Sequence, residues 1–522
     1  MSYAQIVAGG LPRGHTGEQG GWEDIYKERP SDTREVEFRN FTPSQSDVQN
    51  LIAAIAKIEK KERTYVTSDR RTEKDEANPP AFSPTRKHWR LSKVLDSIAN
   101  LCVSETKHEV IATALRVHNK AELIELIIAS NDNVKSSTVE HLRKMWTALK
   151  EISTICHNSR ELSSQDDMPP RLVDDAHDLS TKFRILCLKF SFDKLQKRVN
   201  EKFSRFSEID IRGMDESHDF RKVRKYVNLI EHHFTRENKP VVGKPGDDKS
   251  WKRLWACLMS AAQAINKFLD AGGFHGGEKK RFGTFLQYDL YLRKIESFAN
   301  DIQVLLHAAN SPQCKHLFTF EFEINALPVL VSKAVNVPQT SEGWELVLEE
   351  ALLFRNAIEG KTHGNYVINV KRVNEDTAYM AEDAISRDLV VHCEVKILTH
   401  IFKTEAENPG IPKAYTYIGV SKLSCRSCQA FFEAFNDTHA TRFVVKGSHS
   451  KSYWPWQFPE LSFANMDAVV YFTYQSIAKR WANSYNGYIV KEEPHQPDSE
   501  AQSSASRFDD VGEIAEADEM EE

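Results

Sequence analysis

Residues 391–436 read VHCEVKILTHIFKTEAENPGIPKAYTYIGVSKLSCRSCQAFFEAFN, and two short motifs in this stretch decide how the chain is interpreted. His392 and Glu394 form an H-x-E pair where one helical pattern begins, and Cys425 and Cys428 form a C-x-x-C pair where a second begins. An aliphatic and aromatic segment between the motifs is predicted as a strand. One imidazole, two thiols and one carboxylate at two helix N-termini are the parts of a hydrolytic zinc site.

The chemistry of such a site explains why these residue types are needed. A catalytic Zn²⁺ keeps three protein ligands, predicted here as His392, Cys425 and Cys428, and leaves its fourth position to water. Residues three apart on a helix share a face, so the two sulfurs can converge on one ion. A helix N-terminus favours their thiolate form. The metal lowers the pKa of its water to about 7, and Glu394, which is not a ligand, is the predicted proton shuttle.

The order of the two motifs resembles that of the zinc nucleobase and nucleoside deaminases, whose signature is H-x-E followed by P-C-x-x-C. HCEVKIL followed by YIGVSKLSCRSC is similar, more closely, to a deaminase-like family of fungi and some intracellular bacteria within the cytidine deaminase-like superfamily. The resemblance covers residues 340–490. Ser424 stands where most deaminases have proline. Serine is a good helix N-cap, so this departure bears on the substrate more than on the metal.

The resemblance implies a zinc-dependent hydrolytic deaminase. It would release ammonia from a cytosine-type or adenine-type base, in a nucleotide or in single-stranded nucleic acid, with zinc-bound water as nucleophile. The alternative is a catalytically silent zinc-fold protein whose helical region binds a protein partner. Two further alternatives concern the motifs alone. One is a structural zinc with a fourth ligand such as Cys393, which lies about 100° round the helix from His392. The other is a redox dithiol at the C-x-x-C pair.

Candidates for the substrate pocket follow from the same stretch and its neighbours. The segment GSHSKSYWPWQFP, residues 447–459, is rich in aromatic rings that could stack on a flat base or equally seal the edge of the sheet. In related deaminases an asparagine upstream of H-x-E often contacts the ribose or base, and Asn365, Asn369 and Asn374 are available here. The predicted pocket residues are Lys422, Ser424, Asn365, Tyr453, Trp454 and Trp456.

Composition places the chain among ordinary globular proteins. Its 522 residues are 40% hydrophobic and 28% charged, which leaves room for two or three domains. No apolar run approaches the roughly 18 residues of a membrane span, and no secretory signal is evident at the N-terminus. Of the eight cysteines only Cys425 and Cys428 have a ligand-like spacing, and the others are typical of a reducing compartment. These features predict an intracellular protein, cytoplasmic or nuclear, with no membrane partner.

Hydrophobic periodicity predicts an α+β multidomain chain. Helical patterns run through 137–157, 172–204, 218–235, 250–270 and 287–309, and the strongly apolar segment 119–130 (NKAELIELIIAS) is predicted as a further helix. The predicted organisation is a poorly ordered N-terminal segment over 1–40, an all-α helical region over 41–310, a deaminase-like zinc domain over 311–490 and an acidic disordered tail over 491–522. The tail holds 12 Asp and Glu residues against Lys491 and Arg507.

The zinc domain is predicted as a three-layer α/β/α, cytidine deaminase-like domain with a mixed sheet. Strands are predicted at 318–324, 366–373, 415–420, 441–446 and 487–490. Helices are predicted at 341–359, 392–402, 425–435 and 466–484.

Overall fold

The computed structural model describes most of the chain between residues 33 and 486. The described ranges are 33–36, 41–62, 69–70, 86–105, 109–163, 170–207, 218–234, 248–270, 286–330, 337–358, 366–369, 376–381, 389–448, 451–459 and 465–486. The predicted tail, the strand at 487–490 and the predicted N-terminal segment other than 33–36 lie outside these ranges, as do Asn365 and Asn374.

The described residues form short strands and long helices. The strands are β1 Thr33–Val36, β2 Asp69–Arg70, β3 Ile111–His118, β4 Leu123–Ser130, β5 Glu321–Ala326, β6 Tyr366–Asn369, β7 Gly419–Val420 and β8 Gly447–Ser448. The helices are α1 Gln45–Glu62, α2 Arg86–Leu101, α3 Ser136–Ser163, α4 Pro170–Phe190, α5 Phe192–Ser207, α6 His218–Phe234, α7 Asp248–Asp270, α8 Leu286–Asn310, α9 Lys315–Thr319, α10 Ser341–Ile358, α11 Cys393–Glu407, α12 Arg426–His439 and α13 Met466–Asn486.

A mixed sheet of four strands, in the order β5-β4-β3-β7, lies at the centre of the fold. β3 and β4 form an antiparallel hairpin in which Ile111 lies opposite Ser130 and His118 opposite Leu123. β5 runs parallel to β4, and β7 runs antiparallel to β3. The prediction of a mixed sheet is therefore confirmed. Two further pairs, β1 with β6 and β2 with β8, are antiparallel and separate from this sheet.

Helices cover both faces of the sheet. Ile124, Leu126 and Ile128 of β4 belong to a core that includes residues of α2–α9. Ile127 and Ala129, which point to the opposite face, belong to a second core built with α1 and α10–α13. Each fully buried leucine or isoleucine contributes about 1.5–3 kcal/mol to stability. The described part of the chain is thus mostly helical around a small mixed sheet, and the helices that cover the sheet come from a much longer part of the chain than the predicted C-terminal domain.

The prediction that residues 41–310 are all α-helical is wrong. Segment 119–130, predicted as a helix, is the hairpin turn followed by β4, and β3 precedes it. The physical reason is that β4 is buried on both faces, so its side chains do not alternate between apolar and polar. A continuous apolar run of this kind has no period that separates a strand from a buried helix. Two strands of the sheet, β3 and β4, thus come before residue 310, and the other two, β5 and β7, come after it.

The helices predicted near the two motifs are confirmed. Segments 341–359, 392–402, 425–435 and 466–484 correspond to α10, α11, α12 and α13. At the start of α1, the backbone N–H of Ser44 donates to Asp47 Oδ2 at 2.7 Å, and the N–H of Asp47 donates to Ser44 Oγ at 3.3 Å. This reciprocal cap satisfies two backbone N–H groups at the start of α1.

The strands near the motifs are shorter than predicted. The segment 415–420 contributes only β7 and an isolated bridge from Tyr417 to Val444 of the segment 441–446, and Ala414 adds a bridge just before it. Phe318 lies in α9, so the alternating strand predicted at 318–324 begins at Glu321. Along the described parts of the chain, every helix is too short or too polar to cross a lipid bilayer.

Candidate metal centre

The two motifs meet at the N-termini of α11 and α12. His392 is the N-cap of α11 and Cys425 the N-cap of α12, both with extended backbone conformations. The backbone N–H of Cys428 donates to Cys425 Sγ at 3.4 Å, so a sulfur takes the place of the oxygen that usually caps a helix. The sequence predicted Ser424 as this cap, and the structure places the cap one residue later.

The three predicted ligand atoms converge. His392 Nδ1 lies 3.6 Å from Cys425 Sγ and 3.3 Å from Cys428 Sγ, and the two sulfurs are 3.4 Å apart. A tetrahedral Zn²⁺ with ordinary Zn–S and Zn–N bond lengths holds its ligand atoms about 3.5–3.8 Å apart. One imidazole and two thiols also favour zinc over magnesium or calcium, which prefer oxygen. The donor set and its spacing therefore fit a zinc ion.

Glu394 lies beside these atoms in the first turn of α11, with 4% of its surface exposed. The Cys393 thiol donates to Glu394 Oε2 at 3.4 Å. Cys393 is not among the group of side chains that could hold a metal, and burial followed by the Glu394 charge raises its pKa well above the usual range. The structure thus gives no support to Cys393 as a fourth ligand, and it places a buried carboxylate next to the three donors.

Burial and mutual contact shift the pKa values of the three donors in different directions. Burial raises the pKa of Cys425, but the hydrogen bond from Cys428 and the neighbouring His392 outweigh burial and hold this pKa well below the usual range. Burial and the Cys425 sulfur raise the pKa of Cys428 well above it. Burial lowers the pKa of His392, yet the Cys425 charge raises it further, so the net shift is upward. Because metal ligands must be deprotonated, metal binding at these residues would release protons.

Residues far away in the sequence hold the H-x-E half in place. The backbone N–H of Cys393 donates to Asn131 Oδ1 at 2.9 Å, so a side chain just beyond β4 caps the start of α11. Lys396 Nζ, in the next turn, donates to the carbonyl of Ser130 at 2.7 Å. Burial lowers the pKa of this lysine. Sequence reasoning missed both contacts, because no local pattern links Asn131 or Ser130 to residues of α11 that lie more than 260 positions away.

The C-x-x-C half is held by α1. Arg426 Nη1 lies 3.2 Å from Glu59 Oε1, and both side chains are largely buried. The backbone N–H of Ser452 donates to Glu59 Oε2 at 2.8 Å. Burial raises the pKa of Glu59 more than the Arg426 charge lowers it. This ion pair was also missed, although the arginine lies inside the C-x-x-C motif.

The predicted pocket residues are placed differently from one another. Trp456 is fully buried, and its Nε1–H donates to Cys428 Sγ at 3.3 Å. Ser424 is also buried, and its backbone N–H donates to the carbonyl of Gly447 at 3.0 Å. Trp454 and Lys422 are half-buried, and Tyr453 is 41% exposed. The structure therefore brings Trp456 into contact with a ligand, whereas a role in substrate binding stays a prediction for the others.

Comparison with known proteins agrees with the motifs. Residues 391–460 match the model of a family described as OTT_1508-like deaminase. No curated protein and no solved structure matches the chain. The matched segment contains His392, Glu394, Cys425, Cys428 and the aromatic segment that holds Trp456. Over residues 391–460 the chain is thus similar to a deaminase-like family, in agreement with the sequence resemblance.

Proposed function

We propose that this protein is a zinc-dependent hydrolytic deaminase with a cytidine deaminase-like domain. Its proposed substrates are cytosine-type or adenine-type bases in nucleotides or single-stranded nucleic acid. The observation that carries the proposal is the convergence of His392, Cys425 and Cys428 beside the buried, non-ligating Glu394. The deaminase-like match over the same residues supports it. So does the arrangement of the β3–β4 hairpin, α11, β7 and α12 around one mixed sheet.

Each residue then has a defined task. His392, Cys425 and Cys428 would hold the zinc, which when bound supplies the Lewis acidity that brings the pKa of water to about 7. Glu394 takes the two protons of the water at its carboxylate, one after the other, and passes one to the ring nitrogen and the other to the departing amino group. The overall reaction consumes one water, replaces the amino group by a carbonyl oxygen and releases ammonia. Asn131 keeps Glu394 in position by fixing the N-terminus of α11 to the end of β4.

The rival proposal is a catalytically silent zinc-fold protein that binds a partner through the helices α3–α8. These helices contribute none of the four chemistry-bearing residues, so a binding role is open to them. Glu394 favours the enzyme, because a buried carboxylate is costly and a structural zinc has no use for it. A titratable group placed beside a reactive centre is instead typical of active sites.

The test is substitution of Glu394 by glutamine in the full-length chain. We expect ammonia release to fall by about 10²–10⁴-fold while one zinc per chain is retained, because only proton transfer is removed. His392→Ala and Cys425→Ala should instead lose the metal. Glu407→Gln is the matched control, since Glu407 lies at the far end of α11 and pairs with Lys403 on the surface. It should leave turnover unchanged.

The assay panel is single-stranded DNA, RNA, nucleotides and nucleosides, with ammonia and zinc measured on the same samples. Full turnover by Glu394→Gln would rule out the proposed proton shuttle. A wild-type chain that binds zinc and deaminates nothing on the panel would instead favour the silent zinc-fold protein.

A further inference from the structure

We propose that Trp456 is a positioning residue of the metal centre, whose indole N–H holds the Cys428 sulfur and sets how strongly that sulfur donates to the metal. The inference rests on the proposed zinc centre. It concerns a residue outside both motifs, and its test measures the metal rather than the reaction.

The Trp456 indole contacts one of the proposed ligands directly. Trp456 Nε1 lies 3.3 Å from Cys428 Sγ, and the tryptophan has no exposed surface. An indole nitrogen can only donate a hydrogen bond, and a buried donor without a partner is costly. The sulfur is therefore the acceptor that satisfies Trp456. The bond reaches Cys428 from a segment that contributes no ligand.

Aromatic packing fixes the position of the Trp456 indole. Trp456 meets Phe458 edge to face, with ring centres 5.9 Å apart, and Phe458 meets Phe431 in the same way at 5.4 Å. Phe431 lies on α12, three residues after Cys428, and all three aromatic rings are buried. Such pairs contribute about 0.5–1.5 kcal/mol each beyond the area that they bury. These aromatic contacts thus hold the indole against α12, the helix that carries its acceptor Cys428.

Backbone hydrogen bonds attach the segment 451–458 to both the H-x-E and the C-x-x-C parts of the metal centre. The backbone N–H of Gln457 donates to the carbonyl of Val390 at 2.9 Å, two residues before His392. At the other end, the N–H of Arg426 donates to the carbonyl of Lys451 at 2.9 Å, one residue after Cys425. Trp456 therefore has a defined position relative to both motifs.

These contacts have a consequence for the metal. A hydrogen bond to a thiolate is charge-assisted, so it draws electron density from the sulfur and stabilises the negative charge in a buried site. Outer partners of this kind orient metal ligands, and their loss typically costs about 10–100-fold in metal affinity. Without the indole N–H, Cys428 becomes a stronger electron donor and is less stable as a buried thiolate.

The experiment compares two replacements of Trp456 in the full-length chain. Trp456→Phe removes the N–H and part of the ring, whereas benzothienylalanine at 456 removes only the N–H and keeps the fused ring. In the Co²⁺-loaded protein we expect the sulfur-to-cobalt charge-transfer band to move to lower energy in both. Competition with a chelator should show zinc binding weakened about 10-fold. Trp146→Phe is the matched control, because Trp146 is a buried tryptophan of α3 in the core on the opposite face of the sheet, and its indole N–H has no hydrogen-bond partner among the described residues. It should keep the wild-type band and affinity.

A wild-type band position in the benzothienylalanine protein would overturn the proposal, even if zinc affinity falls, because that combination indicates packing alone. If Trp456→Phe fails to fold, the band position of the benzothienylalanine protein alone provides the test. The proposed deaminase activity fails separately: a metal-loaded wild-type chain that shows no turnover leaves the band shift of the Trp456 variants intact.

Discussion

Asp301 is a carboxylic acid with a raised pKa inside the helical layer of α2–α9. It lies on α8 with 4% of its surface exposed, and Ser97 Oγ of α2 donates to Asp301 Oδ1 at 3.0 Å. Burial raises its pKa from 3.8 to about 7, although Lys446 and the Ser97 hydrogen bond oppose the shift. In the unfolded chain the carboxyl loses its proton near pH 4. Between pH 4 and 7 the folded state therefore binds more protons than the unfolded state, and stability falls as pH rises.

Asp301→Asn should remove this residue's part of the pH dependence. The raised pKa corresponds to a cost of about 4 kcal/mol at most above pH 7, and an amide that carries no charge avoids it. We expect the variant to gain stability relative to wild type as pH rises from 4 to 8, measured by urea unfolding at each pH. Asp437→Asn, on the exposed surface of α12, is the control and should follow wild type. A variant whose stability keeps the wild-type slope would contradict the assignment.

Single residues also show what the sequence could predict about the site. His392, Glu394, Cys425 and Cys428 were identified because each motif lies within one helical turn, where spacing fixes geometry. Asn131 could not be found in this way, since 262 residues separate it from the backbone N–H that it caps. Glu59 accepts a hydrogen bond from the backbone N–H of Ser452, which lies 393 residues away in the sequence. Tertiary pairing, rather than any local pattern, brings both to the metal centre.

Among the elements, α2 and β7 approach each other unusually closely. A Cβ on Gly419 of β7 would lie 2.4 Å from the carbonyl carbon of Leu95 and 2.7 Å from the backbone nitrogen of Asp96. The same aspartate accepts hydrogen bonds from the backbone N–H of Val420 at 2.9 Å and from the Tyr417 hydroxyl at 2.7 Å. Helix and strand are therefore locked by backbone contact, and no side chain fits between them.

Gly419→Ala should destabilise the protein strongly. The obstructing atoms belong to the backbone of α2, which cannot rotate away, so we expect a loss of about 3 kcal/mol or more in the free energy of unfolding. Zinc affinity should fall as well, because β7 leads directly to Cys425. Gly410→Ala is the matched control: a Cβ there meets nothing within 4 Å, and the change should stay within about 0.5 kcal/mol. Equal urea midpoints for the two variants would refute the close packing.

Amphipathic helices were predicted correctly and the two strands of the central hairpin, β3 and β4, were not, for one physical reason. α10 and α13 lie on the outside of the sheet, so one face is buried and the sequence shows a helical period. β4 lies in the middle with both faces covered, and its run LIELIIA shows no period at all. Burial on two sides removes the signal from the strands that organise the fold.

At the scale of the whole molecule, the sheet is assembled from distant parts of the chain. β4 and β5 are parallel neighbours, yet the segment that connects them contains all of α3–α9. Parallel strands always need a crossover connection, but here it is a helical layer with its own core. Ile111 and Ser421, which pair across the β3–β7 edge, are 310 residues apart. The cost of closing such a loop grows only slowly with its length.

Residues 311–490 alone should therefore fail to form a stable domain. This fragment keeps both motifs, but it lacks β3 and β4, the Asn131 cap of α11 and the Glu59 partner of Arg426. We expect no cooperative unfolding transition, strong binding of a hydrophobic dye and weak zinc affinity. Residues 41–490 should unfold cooperatively and bind zinc as the full chain does, which makes them the control. A cooperative transition of 311–490 with full zinc affinity would show instead that the motif helices build a core without the hairpin, and that the chain divides at residue 310.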